Sequence, residues 1–232
     1  MKSLLGNRKL IVSIFVILIV ASTALALGPL VFSLIMGRGV KTEPINADKV
    51  HAATTDVNGE WHVTQGTAYN HTSAGFTIDE ILPADKRTTS GSTKDVTGQA
   101  TIKDGTVEEA RIAVDMASLT TDKKVRDQNM KTKLFEVTKY PESIFTLTEP
   151  ADVSAVPDDG SVVTVPLTGD LTIHGETKSV SQDFQVVRDG DTIILGGDIP
   201  INRLDFGIET PEMIAARISE TGEINVRVTF EK

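Results

Sequence analysis

Four histidines, at positions 51, 62, 71 and 174, are the side chains of this 232-residue chain best suited to base chemistry or metal binding. None stands three to five residues from another, so no pair presents two ligands in the H-E-x-x-H manner, and a zinc centre is not expected. The absence of cysteine excludes thiolate ligands, a thiol nucleophile and disulfides. Asp205-Phe206-Gly207 spells the magnesium triplet of kinases, yet no glycine-rich phosphate loop and no H-R-D loop accompany it. A G-x-S-x-G elbow is missing as well, and the chain is not expected to be an enzyme.

The remaining charged positions have simpler local roles. Arg126 and Asp127 could meet a polar headgroup, but local helix-to-loop contacts account for them more simply. Arg203 and Asp205 flank one residue before Gly207, which suits a loop-stabilising ion pair. His174 precedes Gly175 in a turn signal, so turn geometry explains it.

Most of the elements that must position these residues are strands. Ala110, Ile112, Val114 and Met116 alternate with Arg111, Ala113 and Asp115, and Ile224 to Phe230 repeats the pattern. Asp104-Gly105, Asp189-Gly190, His174-Gly175 and Asp159-Gly160 are turn pairs that tolerate positive φ. About eight strands follow, with short helices near 122–132 and 211–219. Asp122 reads as the N-cap of the first of these, and Pro141 takes Tyr140 out of helical geometry before the 143–148 strand. Many antiparallel strands with one wet face close as a barrel or stack as a sandwich.

The N-terminal region differs in kind. Residues 1–9 are basic and read as a cytoplasmic N-terminus; residues 10–36 carry no charge and are long enough to span the roughly 30 Å hydrocarbon core. Ala24-Leu25-Ala26 offers a signal-peptidase site, the alternative to a retained transmembrane anchor, and both readings export the domain. Residues 37–58 read as a linker and 59–232 as the domain. The expected location is the cell membrane, single-pass, with the domain on the extracytoplasmic side. Five of the 23 basic residues lie within the first 41 and all 32 acidic ones beyond, which leaves the exported part at −14. Such a surface excludes nucleic acid as a partner and disfavours a grip on anionic lipid.

Three motifs, R-D-Q-N-M-K continuing through K-L-F-E-V-T-K-Y-P-E-S-I-F at 126–145, T-G-D-L-T-I-H-G-E-T-K-S-V at 168–180 and N-R-L-D-F-G-I at 202–208, resemble the YceI-like family. Ser73 to Glu80 looks like that family's early strand, without its frequent His-Ser before the Phe. The resemblance, covering about Trp61 to Phe230, implies an all-β, lipocalin-like antiparallel barrel around an elongated apolar channel. It also implies a polyisoprenoid or isoprenoid quinone as ligand, no other cofactor, and members that often pair as homodimers.

An apolar channel requires inward positions that are aliphatic or aromatic. Strand parity selects Phe76, Ile78, Ile112, Val114, Met116, Phe145, Leu147, Leu171, Ile173, Phe184 and Val186 as its lining. The helix near 122–132 is expected to gate the mouth, and a packed-core interaction domain without ligand is the competing reading.

Overall fold

The structure, a computed structural model, describes residues 8–35, 39–82, 85–210 and 217–232. Its first element is helix α1 (Arg8–Ile35), all of whose described side chains from Val12 to Leu27 are exposed. Among the described residues no helix is long and apolar enough to cross a membrane. The fold therefore does not establish the anchor expected over 10–36; Met36 itself lies outside the described residues.

Among the described residues eleven strands follow: β1 (Gly59–Thr64), β2 (Ser73–Leu82), β3 (Asp85–Thr93), β4 (Val96–Lys103), β5 (Thr106–Asp115), β6 (Glu142–Leu147), β7 (Ala151–Asp152), β8 (Val163–Ile173), β9 (Glu176–Asp189), β10 (Thr192–Asn202) and β11 (Arg217–Glu231). Eight of them, in the order β1-β4-β5-β6-β8-β9-β10-β11, form an antiparallel barrel. It closes where Val63 and Thr64 of β1 pair with Phe230 and Thr229 of β11. Closure removes the exposed edges that an open sheet would carry. Beyond the short β1, the same edge of β11 is taken by β2, which carries β3 as a hairpin, and β7 adds a two-residue pairing to β5.

The sharp reversals use the expected dipeptides with one shift. Asp104-Gly105 and His174-Gly175 have positive φ at both residues, as a two-residue hairpin with right-handed strand twist requires. Asp189, however, is the last residue of β9, and the turn is Gly190-Asp191.

Helix α2 (Lys124–Asn129) continues into one π-helical turn, Met130–Leu134. Asp122 does not cap it: Lys123 holds that position without a side-chain cap, and the Asp122 carboxylate instead receives Arg126. The helix expected near 211–219 lies outside the described residues at 211–216, and from Arg217 the chain is already strand β11.

The segment read as a linker is laid on the barrel wall over its described part, 39–58. Val40 donates to the Ser90 oxygen, Asn46 exchanges hydrogen bonds with the Asn70 amide, and Arg227 donates to the Pro44 oxygen at 2.9 Å. Farther on, His51 donates to Asp189, and Thr54 to the Gly190 oxygen. Val187 and Ile194, which alternate with the inward residues of β9 and β10, are nonetheless 0% exposed. These polar and apolar contacts hold the segment as a strap, which a freely solvated spacer could not be.

Candidate functional site

Inward side chains of the barrel strands surround a cavity of about 150 Å³, counted for the centre of a water-sized sphere. The structure brings Phe76, Ile112, Val114, Met116, Phe145, Leu147, Leu171, Ile173, Phe184 and Val186 together around it. Ile78 does not reach it. That residue shares the face of Phe76 but sits one pair farther along β2, against Gly222 at the irregularity of β11. The alternation placed Ile78 on the face of Phe76, but its place one pair farther along β2 leaves it outside the lining.

Sequence parity missed lining residues that come from loops, from strands outside the selection, or from the far end of β8. Val57, Val153 and Val156 lie outside the strands, and Trp61, Val165, Leu195, Val226 and Phe230 lie on the inner faces of β1, β8, β10 and β11. The alternation of β11 could have identified its three members, Ile224, Val226 and Phe230; the loop valines carry no local signal.

Residues 53–58 and 153–158 cover the end of the barrel that bears the 104–105 and 190–191 turns. There Ala53 donates to the Asp158 oxygen, Val153 to the Gly105 oxygen, and the Trp61 indole to the Val57 oxygen at 2.8 Å. Arg188, the one charged residue in the lining, donates to the Thr55 oxygen. The opposite end lies beneath α2 and its π turn. Met116, Leu119 and Met130 form a small apolar cluster with Phe76, Leu134 and Phe135, and the rings of Phe76 and Phe135 meet edge to face at 5.6 Å.

Room inside the barrel depends on three phenylalanines that lie against glycines of neighbouring strands. A Cβ on Gly91 would stand 2.8 Å from the Phe76 ring, one on Gly169 2.5 Å from Phe145, and one on Gly197 2.7 Å from Phe184. The missing side chains let each ring lie along the wall, so the lumen is not filled.

Polar groups cluster outside this channel. His174, at φ 53°, places Nε2 3.0 Å from the Glu136 carboxylate and Nδ1 3.3 Å from the Phe206 oxygen. Both partners carry oxygen acceptors, and the two contacts tie the segment after α2 and the 203–206 turn to the β8–β9 turn. Asp127 accepts from the Thr121 amide and hydroxyl, while Arg126 pairs with Asp122 and approaches Glu80 at 3.9 Å. The expected Arg203–Asp205 ion pair does not form among the described residues. Arg203 donates instead to the oxygens of Ser219 and Ile208, pinning the 202–210 turn to β11.

Burial lowers the pKa of His71, and the neighbouring Arg227 lowers it further. His51, His62, His71 and His174 stay apart, and among the described residues no three His, Asp or Glu side chains converge as a metal site would need. Apart from Gly75, Ser143 and Arg188, every lining residue is hydrophobic, so the arrangement can desolvate an apolar chain.

The YceI-like domain profile matches residues 61–230. Protein YceI of Shigella flexneri is 31% identical over 104 residues, covering 44% of this chain and 50% of that protein. A UPF0312 protein of Pseudomonas putida (strain W619) is 33% identical over 149 residues, 60% of this chain and 71% of the relative. The chain thus spans half the length of the first and somewhat more of the second. Among solved structures, a polyisoprenoid binding domain from Saccharophagus degradans implicated in plant cell wall breakdown superposes with a TM-score of 0.55 at 18% identity, covering 74% of this chain and 97% of that one. BcnA of Burkholderia cenocepacia gives 0.54 at 19% identity, over 67% and 95%. These two similarities speak for the fold. Because the profile extends over well more than half of its length, the chain belongs to the YceI-like domain family.

Proposed function

We propose that this protein binds, stores or transports an isoprenoid lipid, a polyisoprenoid or an isoprenoid quinone, inside the barrel and without covalent chemistry. The observation that carries the reading is the cavity: an apolar lumen kept open between Phe76 and Val57, with one arginine and one serine among its side chains. At about 0.8 kcal/mol per buried CH₂, ten such groups contribute roughly 8 kcal/mol before ordering costs, enough for useful affinity without a charged anchor. A cavity on the order of 150 Å³ holds a benzene-sized apolar group in another protein. The first isoprene unit therefore fits as the barrel stands, and a longer chain enters as Phe135 and the α2 segment move aside.

The same reading places the domain on the extracytoplasmic side, held to the membrane by α1. Its support is the run of exposed large apolar side chains there, including Phe15 at 65% and Leu25 at 84% exposure. Mass spectrometry of organic extracts from the purified full chain tests the ligand assignment. A prenyl lipid present in wild type and lost in folded Ile112→Glu and Phe145→Glu variants is the expected result. Repeated absence of lipid from wild type would favour a packed interaction domain instead.

A further inference from the structure

Three buried polar atoms lack a hydrogen-bond partner among the described residues: Arg87 Nη1, Thr89 Oγ1 and Arg126 Nη2. All three belong to one place. In the β2–β3 hairpin Gly91 pairs with Phe76, Thr89 with Ile78, and Arg87 with Glu80, so Thr89 and Arg87 share the face on which Phe76 lines the channel. Arg126 reaches the same carboxylate from α2: its Nε stands 3.9 Å from one Glu80 oxygen while Arg87 grips the other at 3.0 and 3.1 Å. Thr89 is 2% exposed, and the Arg87 and Arg126 side chains 11% and 12%. Buried donors without partners are rare in folded proteins and carry a free-energy cost that a ligand oxygen would relieve.

We infer that Arg87, Thr89 and Arg126 form the recognition site for the polar head of the lipid, and that this head is a neutral oxygen acceptor, a carbonyl or hydroxyl. The inference rests on the lipid-binding reading above. The site offers two guanidinium nitrogens and one hydroxyl past Ile78 on the face that carries Phe76, so a chain-like ligand whose tail fills the barrel would bring its head to them along that face. Charge decides the class of head. Glu80 and Asp122 already neutralise Arg87 and Arg126, so the four ionised groups sum to zero. A phosphate would add up to two negative charges beside two carboxylates, whereas a carbonyl or hydroxyl accepts the same hydrogen bonds at no charge cost.

Calorimetry on the full chain in detergent with four ten-carbon probes tests this: geranial, geraniol, geranyl phosphate and 2,6-dimethyloctane. Geranial and geraniol are expected to bind wild type about five- to tenfold more tightly than the headless hydrocarbon, the gain of one or two net hydrogen bonds. Thr89→Val, which keeps shape and leaves both ion pairs intact, and Arg126→Lys, which keeps charge and removes Nη2, should each erase most of that advantage while leaving 2,6-dimethyloctane binding unchanged. Head-dependent affinity that persists in both variants would overturn the site. Tighter, Arg126-dependent binding of geranyl phosphate than of geraniol would overturn the neutral class in favour of an oxyanion. Failure of wild type to bind any probe, the hydrocarbon included, would instead remove the barrel reading on which the inference rests.

Discussion

Arg227 of β11 donates from Nη2 to Nδ1 of His71 at 3.1 Å and from Nε to the backbone oxygen of the same residue at 2.9 Å. Its remaining amino group reaches the Pro44 oxygen. A guanidinium only 2% exposed thus joins three parts of the chain, the strap at 44, the β1–β2 connection at 71 and the barrel wall, with backbone oxygens and a neutral imidazole as acceptors. Replacing it by Leu removes the donor from the part-buried His71 and Pro44 carbonyls and deletes the tie between strap and wall. Arg227→Leu should therefore lower unfolding stability by about 2–5 kcal/mol in urea titrations, and should expose the 39–58 segment to proteases before the barrel unfolds. A loss under about 0.5 kcal/mol would mean that the strap contributes little.

His71 gives the protein a specific acid sensitivity. Burial, and then Arg227, hold its pKa below the ordinary value of 6.5. Above that value folded and unfolded chains are both neutral at this site, and its contribution to stability is complete. As the pH falls below about 6.5 the unfolded chain takes up the proton first, so stability declines until the lowered folded value is passed. Melting temperatures should drop as the pH falls below about 6.5, and His71→Asn should flatten that part of the profile. Carboxyls with lowered values, such as Asp79 beside Lys86 and Thr88, act below about pH 4 and leave this window clear. An unchanged profile in the variant would assign the decline elsewhere.

The channel should narrow when a wall glycine gains one carbon. In Gly197→Ala the new Cβ would stand 2.7 Å from the Phe184 ring, and no real contact is that short, so the ring must tilt into the lumen. The expected cost is about 1–3 kcal/mol of stability, together with weaker uptake of 2,6-dimethyloctane. Trp61, the single tryptophan and part of the lining, reports on the change by its fluorescence. Unaltered stability and uptake would show that Phe184 yields in another direction.

Alternation along residues 110–116 and 224–230, the Asp104-Gly105 and His174-Gly175 turns, and the break at Pro141 were legible because each depends on neighbours a few residues apart. Such local signals placed ten candidate residues on the faces that enclose the cavity. Reading failed where the outcome depends on distant registers. Asp122 stands where a helix cap is expected on local grounds, yet it serves Arg126; Arg203 stands two residues from Asp205, yet it reaches across to Ser219. The contacts of the 39–58 segment are likewise set at long range, since Pro44 meets Arg227 across 183 positions of sequence.

By itself the sequence determined the β periodicity, the tight turns, the apolar N-terminal stretch and three motifs specific enough to resemble one family. Only the tertiary structure decided that β1 and β11 close the barrel, that phenylalanines settle over glycines to leave a lumen, and that Arg87, Thr89 and Arg126 share one face with Phe76. The physical reason is one of range. A strand's faces follow from a two-residue period that every short stretch displays, whereas closure, cavity shape and unsatisfied donors depend on which strands meet and in what register.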